Sequence, residues 1–163
     1  MTGPTFPPLN VKLSEQLSEV RQTDNLYFPC CATLVDGSEI DCVYLAEASR
    51  WFMQWGIWPD DDKGKQSLDL KRIESLRDSP SRLPAKFAEE LYSAGESGMG
   101  YTIFTVEFSD GSKQAYHSGG AIDFVRYPPG QGPETVTKVS PHEGRSSNPV
   151  GAPEFYWCLY GTP

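Results

Sequence analysis

Leu13, Leu17 and Val20 recur at i, i+4 and i+7 behind Asn10, which can cap a first turn; this spacing predicts a helix over residues 10–21. Further along, the apolar period shortens towards two. "CATLVDGSEIDCVYL", residues 31–45, reads as a hairpin closed at Asp36 and Gly37, because Asp-Gly supplies the positive φ angles of a two-residue turn. The device returns in "YTIFTVEFSDGSKQAYH", where Thr102, Phe104, Val106 and Phe108 alternate before Asp110 and Gly111. The two Asp-Gly-Ser turns stand 74 positions apart (110 minus 36).

After each hairpin comes an aromatic stretch that reads as a strand, "RWFMQW" at residues 50–55 and "IDFVRY" at residues 122–127. A Pro/Gly/Asp loop follows each, then a short segment with apolar residues three apart, "IESLRDSP" and "VTKVSP". Four steps in the same order point to two β-units of one pattern, although such a succession is also ordinary in all-β folds. Between the units, "SRLPAKFAEELYSAG" predicts a helix over residues 83–94. Pro84 falls in its first turn, Phe87, Ala88, Leu91 and Tyr92 share one face, and Gly95 is its stop.

The reading is a mainly β (α+β) protein with two short helices and two small curved β-units of SH3-like or Sm-like pattern, residues 27–80 and 100–142. They pack as one domain across the helix face from Phe87 to Tyr92, with a C-terminal strand at residues 154–161. That last strand is too apolar to stand alone. It pairs with the body of its own chain, or exchanges between two copies to make a dimer.

A length of 163 residues suits one domain with a real core. A formal charge of -8 repels phosphate backbones and anionic membranes, so neither nucleic acid nor a lipid surface is an expected partner, and a basic protein is. No leader pattern opens the chain and no apolar run reaches membrane-spanning length, which reads as a cytoplasmic protein.

Catalytic motifs fail where they are tested. In "GESGMG" Ser97 lies on a helix-to-strand turn with Met99 two positions beyond it, whereas a nucleophile elbow needs a glycine there and the opposite order of elements. A strict two-residue turn at Asp110 and Gly111 places His117 opposite Phe104 on the apolar face, either packed or poised as an acid/base, with Glu96 and Asp123 the nearest acids in sequence. His142 reads as a solvated loop residue. No metal-ligand spacing is present and no cofactor is implied. The same counting sets Cys31 opposite Cys42, read as a buried reduced pair.

The remaining signal is "RWFMQWGIWPDDDKG", where Trp58 starts a loop carrying Asp60, Asp61 and Asp62. The aspartates lack the alternation and closing glutamate of a calcium loop. Trp58 can be an exposed anchor and the three carboxylates steering charges, as in an adaptor or an inhibitor or immunity-like protein. Two function classes therefore stand: a noncatalytic acidic interaction module, and a small enzyme using His117 in a cleft near residues 95–100.

Overall fold

A computed structural model describes residues 4–163 and divides the chain into two compact units. The first comprises residues up to Ser79 together with Phe155–Pro163, and the second Pro80–Glu154. Each holds one four-stranded sheet and its own apolar core.

In the first unit α1 (Val11–Leu17) begins at Asn10, whose side chain accepts from the Leu13 amide at 2.8 Å. Strand β1 (Phe28–Leu34) turns into β2 (Glu39–Glu47), which runs directly into α2 (Ala48–Trp55); β3 (Ile73–Asp78) and, much later, β8 (Tyr156–Tyr160) complete a sheet of order β3-β1-β2-β8. β3 is antiparallel to β1 and β8 is parallel to β2. Leu13 and Leu17 of α1 pack with Cys30, Val43, Leu76 and Cys158 in this unit's core.

The second unit repeats the order. α3 (Ala85–Ala94) precedes the hairpin of β4 (Thr102–Phe108) and β5 (Lys113–Ser118), and β6 (Val136–Pro141) and β7 (Val150–Gly151) give the order β6-β4-β5-β7. Phe87, Ala88 and Leu91 of α3 belong to this unit's core with Phe104, Val106 and Tyr116. Residue equivalence holds at the 74-residue offset of the turns from helix to hairpin. Leu13 and Leu17 match Phe87 and Leu91, and the Thr23 amide bonds the Tyr27 carbonyl as the Ser97 amide bonds that of Tyr101. Even the irregularity between first and third strands recurs, shifting after Thr33 in one sheet and after Glu107 in the other.

Several expectations are corrected. Both hairpin loops hold three residues, not two: the Leu34 amide bonds the Ser38 carbonyl and the Phe108 amide that of Ser112, with Gly37 and Gly111 both at φ +87. The side chain of Asp36 accepts from the Ser38 amide, and Asp110 from Ser112 likewise, a bond that favours the longer turn. One extra loop residue moves the register by one and turns each side chain to the other face. Phe104 therefore faces Tyr116, and His117 faces Ile103 and is exposed. In the first sheet a bulge places Asp41 and Cys42 together opposite Cys31, with Cys42 at φ +63. All four cysteines are buried free thiols.

The aromatic stretch at residues 50–55 is helix, not strand. Glu47 caps it by accepting from the Ser49 and Arg50 amides, Trp51 and Trp55 stack one turn apart at 5.6 Å, and Gly56 at φ +75 ends it. The count of α-helices among the described residues is therefore three, not two. Residues 122–127 form no strand; Phe124 makes a single bridge to Arg82. No helix among the described residues is long and apolar enough to cross a membrane.

Candidate functional site

The sequence from α2 onward explains why Trp58 is held where it is. Gly56 stops the helix, and Pro59 restricts Trp58 to extended backbone (φ -66, ψ 147) before the short helical turn Pro59–Asp61. The indole packs against two rings: Phe52 of α2 stacks on it at 4.3 Å, and Phe6 meets it at 5.2 Å, tilted by 43°. The result is a half-buried tryptophan with a fixed plane. Beside it Phe52, Met53 and Ile57 are exposed, Met53 at 86%.

Trp58 opens on a cleft of about 530 Å³, within the usual range of ligand sites. Its apolar lining comes from Phe6, Leu68, Leu70, Trp157 and Leu159, and Asp60, Asp61 and Asp69 bring carboxylates against one cation, Lys71. Ser67 donates to Asp60, and Asp69 accepts from the Lys71 amide at 3.0 Å, starting the short turn Leu70–Arg72. The third residue of the aspartate run behaves differently. Asp62 forms an ion pair with Lys65, whose ammonium also sits 5.0 Å from the centre of the Trp55 ring, and Asp62 does not line the cleft. Two of the three sequence-predicted aspartates thus join Trp58 at the cleft. Asp69 is an addition from just past the aspartate run, and Phe6 and Trp157 are additions that no local pattern signalled, because they reach the site from distant parts of the chain.

In the second unit, His117 is exposed on β5, with Gly151 close against its ring. Among the described residues no hydrogen bond joins its side chain to Glu96 or Asp123. Glu96 accepts from the Gly100 amide at 3.4 Å within its own turn, and Asp123 is fully buried and accepts from the Tyr92 hydroxyl. The three candidates are not assembled into one hydrogen-bonded group.

A different histidine closes the turn at residues 95–100. The Nδ1 of His142 lies 2.7 Å from the Ser97 hydroxyl and its Nε2 lies 3.2 Å from the Ala94 carbonyl. A carbonyl only accepts, so Nε2 carries a proton and donates it to Ala94, while Nδ1 and the Ser97 hydroxyl share the second bond and Ser97 Oγ also lies 3.3 Å from the Ile103 carbonyl. Ser97 Oγ also accepts from the Ile103 amide at 2.8 Å. The arrangement ties the end of α3 to the exit of β6, with His142 at φ +63. Among the described residues no carboxylate bonds this ring, and the arrangement reads as a joint. Sequence reasoning missed it because Ser97 and His142 are 45 residues apart.

Burial pushes the Cys31 thiol up to about 11, with Arg77 opposing part of the effect, and pushes Cys158 up to about 12. Neither thiol is an activated nucleophile. Among the described residues no group of three His, Cys, Asp or Glu side chains could hold a metal ion. No protein-family model matches the chain, and neither a curated protein nor a solved structure matches it.

Proposed function

We propose that this chain is a noncatalytic acidic interaction module, an adaptor or an inhibitor or immunity-like protein, that binds a basic protein partner through the face carrying Trp58, Asp60 and Asp61. The observation that carries the reading is the pairing of a ring-clamped tryptophan with a cleft where Asp60, Asp61 and Asp69 outnumber Lys71. An aromatic anchor held in one orientation loses little entropy on binding, and carboxylates beside it attract and orient a cationic surface. The overall charge of -8 acts in the same direction at long range. A cytoplasmic setting fits four buried free thiols. The SH3-like pattern of the units is an analogy consistent with binding and assigns no partner. The enzyme alternative built on His117 has less support, because that ring is exposed and among the described residues no carboxylate bonds it.

The test is binding kinetics with a partner recovered from the native host. Substitution of Trp58 should speed dissociation, and substitution of Asp60 and Asp61 should slow association in a salt-dependent way. An acidic partner, or binding indifferent to all three residues, overturns the reading.

A further inference from the structure

The cleft beside Trp58 also borders a piece of sheet edge at Leu159, a residue 5% exposed. β8 is the outermost strand of its sheet, and among the described residues its outer backbone side is bonded at two points, one within the strand and one just past its end. Trp157 donates to the Gln66 carbonyl at 2.9 Å and accepts from the Leu68 amide at 2.8 Å, and four residues on Gly161 donates to the Pro7 carbonyl at 2.9 Å. Backbone groups alternate in direction along a strand, so the N–H and C=O of Leu159 point to the same outer side as those of Trp157. Among the described residues neither has a hydrogen-bond partner there. Leu159 lines the cleft, together with Pro7 from one bracketing segment and Ser67 and Leu68 from the other.

An unpaired donor and acceptor on a strand edge recruit extended backbone. Here the opening is one pairing position long, because the segments at residues 66–68 and 7–8 occupy the edge on either side. A full strand cannot lie along it, whereas a loop tip presenting one extended residue can. The side chain of such a residue enters a space bounded by the Trp58 ring and the carboxylates of Asp60, Asp61 and Asp69. Charge complementarity selects a cation, and a guanidinium both stacks on an indole and bonds carboxylates in its plane.

We infer that the cleft receives the tip of a partner's loop, with one arginine residue bridging Leu159 through its backbone and placing its guanidinium against Trp58 and the aspartates. This rests on the interaction-module reading and adds the recognised chemistry to it.

The probe is N-acetyl-arginine N-methylamide, a single arginine with both peptide groups, titrated into the isotope-labelled full chain and followed by amide and indole NMR signals. Butylguanidinium, which lacks the peptide groups, and the norleucine counterpart, which lacks the charge, are the comparisons. The expected result is a downfield shift of the Leu159 amide and a shift of the Trp58 indole with the capped arginine. Its affinity should exceed that of either comparison by about fivefold, the worth of one or two net hydrogen bonds or one charge contact. Butylguanidinium binding equally well assigns the cleft to small organic cations and overturns the inference. A silent Leu159 amide overturns it too, at any probe concentration reached. If Asp60→Asn and Asp61→Asn still weaken the native partner while Leu159 stays silent, this inference fails alone. If the partner ignores those substitutions and Trp58→Ala, the interaction-module reading beneath it fails as well.

Discussion

Trp58 and Phe52 stack with ring centroids 4.3 Å apart and planes inclined by 28°, so the indole that fronts the acidic cleft is fixed before any partner arrives. Removing it should act on binding far more than on folding. Trp58→Ala is expected to weaken partner binding by about 2 kcal/mol or more, mostly through faster dissociation, as buried aromatic anchors do. The loss of its half-exposed ring contacts with Phe52 and Phe6 costs about 1 kcal/mol of stability. Surface-immobilised kinetics alongside thermal unfolding separates the two effects.

The three aspartates should not contribute equally. Asp60 and Asp61 line the cleft, whereas Asp62 is already paired with Lys65. Asp60→Asn combined with Asp61→Asn is expected to reduce the association rate several-fold at low salt and to flatten its dependence on ionic strength. Asp62→Asn should leave both nearly unchanged. Association rates measured across a salt series for the three variants check the distinction.

Much of the fold was legible because it depends on local chemistry. Asn10 as a cap, Gly95 as a stop and the two Asp-Gly-Ser turns each act within a few residues, and the structure places a helix end or a turn at every one. What failed depends on contacts the local pattern does not carry. "RWFMQW" has strand-like aromatic content, but Glu47 before it and Gly56 after it make it a helix. The register error came from the turn, where Ser38 and Ser112 close three-residue loops, and it carried His117 to the wrong face. At the cleft, Trp58 and its neighbouring carboxylates could be read from one stretch, whereas Phe6, Asp69 and the open edge at Leu159 depend on the tertiary fold.

The matched turns give a paired stability prediction. Gly37 and Gly111 share φ +87, a conformation that costs an L-residue about 1 kcal/mol, so Gly37→Ala and Gly111→Ala should each lower unfolding free energy by about that amount. Hydrogen bonds from Ser38 and Ser112 hold the carboxyls of Asp36 and Asp110 below their ordinary value of 3.8. A depressed folded pKa stabilises the fold above that value, and the contribution disappears as pH falls through the lower folded value. Ser38→Ala with Ser112→Ala should therefore reduce the acid sensitivity of urea unfolding between mildly acidic pH and about pH 3.

The thiols predict the opposite limb. Burial raises Cys31 from 9.0 to about 11 and Cys158 from 9.0 to about 12. A raised folded pKa means that the unfolded chain ionises first, so this contribution is complete below 9.0 and is lost as pH climbs towards those higher values. Near pH 8 a thiol reagent should label the native protein slowly and reach all four cysteines promptly in denaturant. Prompt labelling of any thiol in the native state would contradict its burial.

The most direct test of the acidic, aromatic face is a parallel capture from native-host lysate, using the wild-type chain and a variant carrying Trp58→Ala, Asp60→Asn and Asp61→Asn, with quantitative identification of what each retains. The account predicts a basic protein enriched on the wild type, released by moderate salt and lost from the variant while the variant remains folded. Retention of the same protein by both chains, or enrichment of an acidic one, would contradict it.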